Sequence, residues 1–455
     1  MRLEVLMYAL VDCDHFFASC ERVFRPELAR RPVAVLSNQD GCVIARSPEV
    51  KALGVKMGEP LFQCQAKLHE AHAVVFSANF QLYADLSARV MSALKTLSER
   101  VEVYSIDEAF LDLSHLSPLE RYRVARDAHE LILREVGVPV SVGLGETMTL
   151  AKLASRFAKR SPERVWLIEG PADRELALRQ TALDEVWGIG PRWARALNRQ
   201  GLSSAWELTL ASPQQLAPLN RCGQQTVDEL CGQRRFTLQT APQPRKSARV
   251  SRTFGEQVFC EVALCEAMSH FASKLGARLR RHQLTAASLR VWLEAARPSA
   301  QRSRAHARPP RARFALSIPL PARTSDSATL IKETLRATRQ LYRAWQRERV
   351  AAPHELGGWR KGGVLALDLL SREVEPLALH APPPARVALS ELEDQLNRRF
   401  GRQTAQLGAT PKSQLKRAQG AWRARSAFRS PRYTSAWGEL LTINIDRVYA
   451  QRALR

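Results

Sequence analysis

Two adjacent carboxylates, Asp107 and Glu108, sit between Val101-Glu102-Val103-Tyr104 and Ala109-Phe110-Leu111. The alternation of β-branched and aromatic residues on either side reads as a half-buried strand. Carboxylates at a bend in such a strand are expensive to bury unless a cation neutralises them. A second strand-like run, Tyr8-Ala9-Leu10-Val11-Asp12-Cys13-Asp14, can lie alongside and bring a third acid, Asp12, to the same place. Three carboxylates from two neighbouring strands form an oxygen-rich anionic site. Hard divalent ions that also contact phosphates, Mg²⁺ above all, favour such sites.

The chain has 455 residues and a formal net charge of +23, enough length for two to four domains. Lys and Arg run along the whole chain, giving a pI near 10.3. Self-repulsion on that scale points to a polyanionic partner, nucleic acid first. No apolar run approaches the ~20 residues of a membrane span, and the first residues lack a signal-peptide core. The expectation is therefore no membrane association and a cytoplasmic, nucleoid-associated protein, with either Met1 or Met7 as its start. Eight scattered cysteines without a C-x-x-C pair read as free thiols, with no disulfide framework or zinc site.

Residues 1–170 read as α/β. Strands are expected at Tyr8–Asp12, Pro32–Leu36 and Val138–Gly145, with helices at Ser87–Glu99 and Thr149–Lys159. From 171 to 240 the pattern turns to short helices around Val186-Trp187-Gly188-Ile189-Gly190-Pro191, and residues 241–247 form a basic, proline-containing linker. Beyond it, strands at Val250–Phe254, Ala287–Leu293, Phe314–Leu320 and Gly363–Leu370 alternate with helices at Val262–Arg281 and Ser327–Trp345. That β-α-β-β-α-β order is the split βαβ unit. A loop from Arg297 to Arg313 holds six arginines and no acid. After a proline-rich stretch to Pro384, a helix at Ser390–Phe400 and an Arg-rich tail complete the sequence.

Several stretches now acquire meaning together: Asp12, Phe16-Phe17-Ala18-Ser19-Cys20-Glu21, Ser37-Asn38-Gln39-Asp40-Gly41-Cys42-Val43-Ile44-Ala45-Arg46, Lys51-Ala52-Leu53-Gly54-Val55-Lys56-Met57-Gly58, Ser105-Ile106-Asp107-Glu108-Ala109-Phe110, Asp184-Glu185-Val186-Trp187-Gly188-Ile189-Gly190, Ser251-Arg252-Thr253-Phe254-Gly255-Glu256 and Ser430-Pro431-Arg432-Tyr433-Thr434. In this order the chain resembles the Y-family translesion DNA polymerases, and within them the UmuC subfamily, the catalytic subunits of bacterial DNA polymerase V. The resemblance covers essentially all of the chain. It implies an α/β (α+β) right-hand polymerase: a ferredoxin-like palm at 1–170 with small fingers inserted at about 33–76, a helical thumb with a helix-hairpin-helix at 171–240, a little finger at 248–371, and a UmuC-type regulatory segment at 372–455.

The same resemblance implies error-prone copying of damaged templates in an SOS-type response, from deoxynucleoside triphosphates and two Mg²⁺ ions. A non-catalytic damaged-DNA-binding scaffold that keeps the fold is the alternative. Asp12 and Asp107 would bridge both ions, Glu108 would complete the one that activates the primer hydroxyl, and the Cys13 carbonyl would assist. Asp14 stays outside that set. Phe17 would be the steric gate, a ring where a ribose 2′-hydroxyl would go. Lys51 and Lys159 would meet the triphosphate, and Pro48 replaces a tyrosine that stand-alone relatives carry. Gly188 and Gly190 would bring backbone N–H groups to the duplex phosphates, although an ordinary inter-helix turn reads the same way. Arg252, Arg290 and the arginine loop would also track the DNA backbone without reading sequence.

Expected partners are primer–template DNA, a processed UmuD-type dimer, a RecA-type recombinase filament and the sliding clamp. The clamp peptide at 375–380 has Pro376 and His380 where Gln and Phe are expected, so that contact should be weak. Leu389, Leu392 and Leu396 would give the tail an apolar docking face, with the basic run Lys412 to Arg429 beside it. A solvated basic tail is the bland alternative.

Overall fold

A computed structural model describes residues 6–241, 244–296, 312–351, 353, 356–374, 384–401, 404–407 and 426–439. The chain forms two compact units: residues Met1–Pro242 with Ser426–Arg455, and residues Gln243–Arg425.

The first unit holds two sheets. Strands β1 (Tyr8–Cys13), β5 (Val101–Val103), β6 (Glu108–Asp112), β7 (Val140–Gly145) and β8 (Val165–Ile168) form a five-stranded sheet in the order β5-β6-β1-β7-β8, with β2 (Val33–Leu36), β3 (Val43–Arg46) and β4 (Val74–Ser77) in a separate sheet ordered β3-β2-β4. β1 is fully apolar up to its last residues and buried throughout most of its length, as the central strand of a covered sheet should be. It pairs antiparallel with both β6 and β7.

One face of the five-stranded sheet is covered by helices Phe80–Leu97 and Pro118–Val136, whose apolar residues form the largest core. The first starts seven residues before the expected Ser87. Asn79 caps it by accepting a hydrogen bond from Leu82 N, and Leu82 and Tyr83 are buried in the added turn. The second has a Ser117/Glu120 capping box and ends at Gly137, φ 77°. Helix Met148–Ala158 covers the other face and lies directly on β7. A Cβ at Gly143 would stand 1.9 Å from Ser155 N, and one at Gly145 2.5 Å from Ala151 N. These two glycines permit that backbone approach, which carries the helix's polar side to the mouth of the sheet. Short helices between Gly170 and Leu230 close a third core.

The second unit contains β9 (Ala248–Val258), β10 (Leu284–Ala295), β11 (Ala312–Thr324) and β12 (Trp359–Ser371), in an antiparallel sheet ordered β11-β10-β12-β9. Helices Glu261–Arg281 and Ser327–Ala351 pack on one face. The element order is the β-α-β-β-α-β of the sequence pattern, and every strand runs longer than its apolar centre. Helix Pro384–Arg399 is pinned to this unit by polar contacts: Asp394 receives Arg280 at 2.7 and 2.9 Å, and Ser390 donates to Asp326 at 3.1 Å.

The arginine loop from 297 to 311, the clamp peptide 375–380, and residues 412–425 of the basic run lie outside the described residues. All eight cysteines are free.

Candidate active site

The register of β1 against β6 sets Asp12 opposite Glu108. At the bend just before β6, Asp107 offers its carbonyl to Cys13 N at 2.8 Å, so all three acids gather at one end of two adjacent strands. Lys159 Nζ lies 2.8 Å from Asp12 Oδ2. Lys152 Nζ reaches both Glu108 oxygens, at 2.8 and 2.9 Å. Asp107 accepts from the Ser105 hydroxyl.

Burial raises the Asp12 carboxyl to about 6, with Lys159 opposing the shift and Glu108 and Asp107 adding to it. It is a buried anion short of positive charge. The donor set fits a hard divalent ion, being all carboxylate. Among the described residues, no three metal-ligating side chains meet as a closed cluster; Asp12, Glu108 and Asp107 are engaged by Lys159, Lys152 and Ser105. Asp14 is held apart. It is 6% exposed, accepts the Ser141 hydroxyl at 2.9 and 3.0 Å, and pairs with Arg164 at 3.4 Å.

Above the acids is a cleft of about 190 Å³ whose lining includes Asp12, Glu108, Lys152, Arg156, Lys159 and Trp187. Lys152, Arg156 and Lys159 are spaced i, i+4, i+7, one stripe along the end of a single helix. Lys159 was expected there; Lys152 was not. Its signal lay in that spacing on a helix whose remaining residues are small or apolar. Lys152 also stands 4.6 Å from the Tyr104 ring centre and 5.5 Å from that of Trp187, fixed by aromatic faces as well as by Glu108.

Past β1 the chain turns sharply at His15, which has φ 51°, and helix Phe16–Val23 begins. A non-glycine residue in the left-handed region is uncommon, and here it turns the chain from the end of β1 into the helix that carries Phe17. The half-buried Phe17 ring stacks on Tyr83 (4.5 Å, 15°) and meets Phe80 edge-on at 5.8 Å. Lys51 is exposed at the end of the short helix Pro48–Ala52.

Gly188 has φ 85°, a value that favours glycine. Gly190 precedes helix Pro191–Asn198, while the element upstream is the single 3₁₀ turn Leu183–Glu185 rather than a helix. In the second unit, Arg252 and Arg290 are both exposed but do not share a face. Arg290 is in register with Leu365, which is in register with Arg249, on the side away from the helices. Arg252 is in register with Gly362, whose Cβ direction meets Met268 and Phe254 of the core. The uncovered face instead presents Arg249, Arg290, Lys361 and Arg313, the last two over the Trp292 ring at 5.3 and 5.7 Å.

A five-stranded sheet with acids at its mouth, a small second sheet, short helices and a separate β-α-β-β-α-β unit define a nucleotide-polymerising right hand. The chain aligns over 80% of its length with 99% of the Y-family DNA polymerase chimera Dbh-Dpo4(243-245)-Dbh, at TM-score 0.62 and 20% identity. Residues 11–156 match the impB/mucB/samB family and residues 245–379 that family's C-terminal domain. Residues 388–443 match a domain of unknown function, DUF4113. The chain is 32% identical to Protein UmuC of Salmonella typhimurium over 96% of its own length and 100% of that protein's. It is 30% identical to Protein MucB of Escherichia coli over 95% and 98%. The chain belongs to the impB/mucB/samB family: it is a Y-family translesion DNA polymerase of the UmuC type.

Proposed function

We propose that residues 1–170 act as palm with fingers at about 33–76, 171–240 as thumb and 248–371 as little finger, in error-prone synthesis across lesions during an SOS-type response. Asp12, Asp107, Glu108 and the Cys13 carbonyl hold two Mg²⁺ ions, which when bound supply the charge that activates the primer 3′-hydroxyl and steadies the leaving pyrophosphate. The observation that carries this reading is the β1–β6 register that sets Asp12 opposite Glu108, with both acids neutralised by lysines.

Lys159 and Lys152, relieved of the acids, meet phosphate oxygens of the incoming deoxynucleoside triphosphate, with Lys51 approaching from the fingers. Phe17 excludes the ribose 2′-hydroxyl by occupying its volume. Gly188 and Gly190 and the open Arg290 face of the second unit hold the duplex backbone. Docking of a processed UmuD-type dimer and a RecA-type filament falls to the C-terminal segment; Leu389 and Leu392 being 55% and 49% exposed supports an apolar contact there. Clamp binding through 375–380 is weak, and the setting is cytoplasmic, at the nucleoid.

Asp107→Asn is the test. Primer extension should fall on the order of 10³-fold, while affinity for primer–template and thermal stability stay near wild type. Extension at the wild-type rate would sink the assignment.

A further inference from the structure

Residues 426–436 lie some 350 positions from the fingers in sequence, yet they form a strap on the first unit. β4 is an edge strand of its sheet, and the strap adds to it through a parallel bridge between Ser77 and Arg429. Ser77 N donates to Phe428 O at 2.9 Å, and Phe428 N donates to the Ser77 hydroxyl at 3.0 Å. Ala427 N donates to Asp40 at 2.7 Å. Tyr433, 3% exposed, stacks on Phe24 at 4.7 Å and 3°. Edge-strand pairing and a buried aromatic anchor are the marks of a built docking contact.

What lies beneath the strap is unusual. Glu21 is fully buried, and its Oε1 accepts the Tyr83 hydroxyl at 2.7 Å and the Ser430 hydroxyl at 3.1 Å. Its Oε2 has no protein partner. Burial raises this carboxyl to about 7, with the two hydroxyls and Arg25 only partly opposing. Ser430 also accepts from Asn79 Nδ2 at 3.0 Å, and Asn79 is the cap of helix Phe80–Leu97. The first turn of that helix carries Phe80 and Tyr83, the two rings against Phe17. Glu21 itself stands one helical turn beyond Phe17. Two routes therefore run from Ser430 to the Phe17 ring: through Glu21 and Tyr83, and through Asn79 and the start of the helix.

We propose that the strap sets the position of the Phe17 ring, with Ser430, Glu21 and Tyr83 as positioning residues, so that discrimination against ribonucleotides depends on the C-terminal segment. This gives residues 426–436 of the domain of unknown function a role in substrate choice. It rests on Phe17 being the steric gate. A docked strap holds Tyr83 against Phe17 as a rigid floor. Without the Ser430 hydroxyl, Glu21 keeps one partner for a buried carboxyl and Asn79 Nδ2 keeps only the Pro431 carbonyl, at 3.2 Å, so the floor under Phe17 gains freedom.

The test is steady-state insertion opposite an undamaged template base by the full-length chain, giving kcat/KM for a deoxynucleotide and the matching ribonucleotide. Ser430→Ala should raise the ribonucleotide-to-deoxynucleotide ratio roughly fivefold, the size of one lost hydrogen bond, with the deoxynucleotide value little changed. Ser430→Thr, which keeps the hydroxyl, should restore the wild-type ratio. Phe17→Ala is the reference. If Phe17→Ala relaxes discrimination and Ser430→Ala, though folded, does not, the strap proposal is overturned while the gate stands. A Phe17→Ala variant with unchanged discrimination would overturn the gate and the strap proposal with it. Should Ser430→Ala fold poorly, Tyr433→Leu serves: it breaks the stack on Phe24 outside the network, and an unchanged ratio there also overturns the proposal.

Discussion

The two large sheets handle charge in opposite ways. The sheet of the first unit gathers its acids at one end of β1 and β6 and neutralises Asp12 and Glu108 with one lysine each, held within 2.9 Å, while Asp107 accepts the Ser105 hydroxyl. The sheet of the second unit spreads cations over an open face, with exposed Arg249 and Arg290 and half-buried Lys361 on three different strands. Burial makes each charge of the first site indispensable, because an unpaired charge in low dielectric costs several kcal/mol. Exposure makes each charge of the second nearly replaceable, because solvent and salt screen it. A site that performs chemistry and a surface that follows a polyanion are thus distinguishable by where their charges stand.

That contrast fails if a single lysine in the cleft proves as dispensable as a single arginine on the open face. Lys159→Ala should lower kcat/KM for the deoxynucleotide on the order of a hundredfold, while Arg290→Ala changes it less than severalfold. The measurement is single-nucleotide insertion at fixed salt. Comparable losses for the two variants would mean that burial does not separate the two regions.

The same contrast explains what could be read in the chain. Asp12, Asp107 and Glu108 were legible because acids inside β-branched, aromatic runs violate the pattern around them, and a violation has few explanations. The β-α-β-β-α-β order of the second unit was legible because its periodicities alternate cleanly. Lys152 was not, since a lysine on a helix is ordinarily solvated; only its spacing from Arg156 and Lys159 set it apart. Arg252 was assigned the same backbone-tracking role as Arg290, but a position's face depends on the register with Gly362 and Leu365, which sequence does not print. The strap was invisible for another reason. Ser430-Pro431-Arg432-Tyr433 has no period, and its partners Glu21, Asn79 and Ser77 lie more than 350 residues away, so neither propensity nor patterning carries the contact. The tail read as separate from the chemistry; part of it packs on Glu21 and Phe24, at the helix that carries Phe17.

Glu21 sharpens the comparison by adding a third way to carry a buried acid: no cation in contact, two hydroxyls, and a pKa raised to about 7. The folded state holds this proton more tightly than the unfolded chain, whose glutamates titrate near 4.3. Stability from this group is therefore fully present below about pH 4.3 and declines as pH rises to about 7, by at most about 4 kcal/mol. The facing groups are Tyr83, Ser430 and Arg25, and all three draw the pKa back down, the two hydroxyls ahead of the Arg25 charge, without offsetting burial. Glu21→Gln keeps a neutral acceptor for both hydroxyls. Its melting temperature should fall less than that of the wild type between pH 5 and 8, by a few degrees. Parallel pH profiles for the two proteins would show that Glu21 is ionised in the fold.

The smallest effects belong to the open face, and their form matters more than their size. Each exposed cation that meets a phosphate releases about one counterion, so its removal should reduce the dependence of log Kd on log salt by roughly one unit. Arg249→Ala, Arg290→Ala and Lys361→Ala should each flatten that slope by a similar amount, nearly additively, because the residues sit on three different strands. Affinity at fixed moderate salt should fall only severalfold per residue and equally for any template sequence. Arg252→Ala is the discriminating control, since its register points it toward the helix-covered side of the sheet. A slope change for Arg252→Ala as large as for Arg290→Ala would show that the duplex wraps the β9 edge rather than lying on the open face. Fluorescence anisotropy of a labelled primer–template, titrated at several salt concentrations, reads all four variants, and unequal losses across template sequences would mark base contacts instead of backbone tracking.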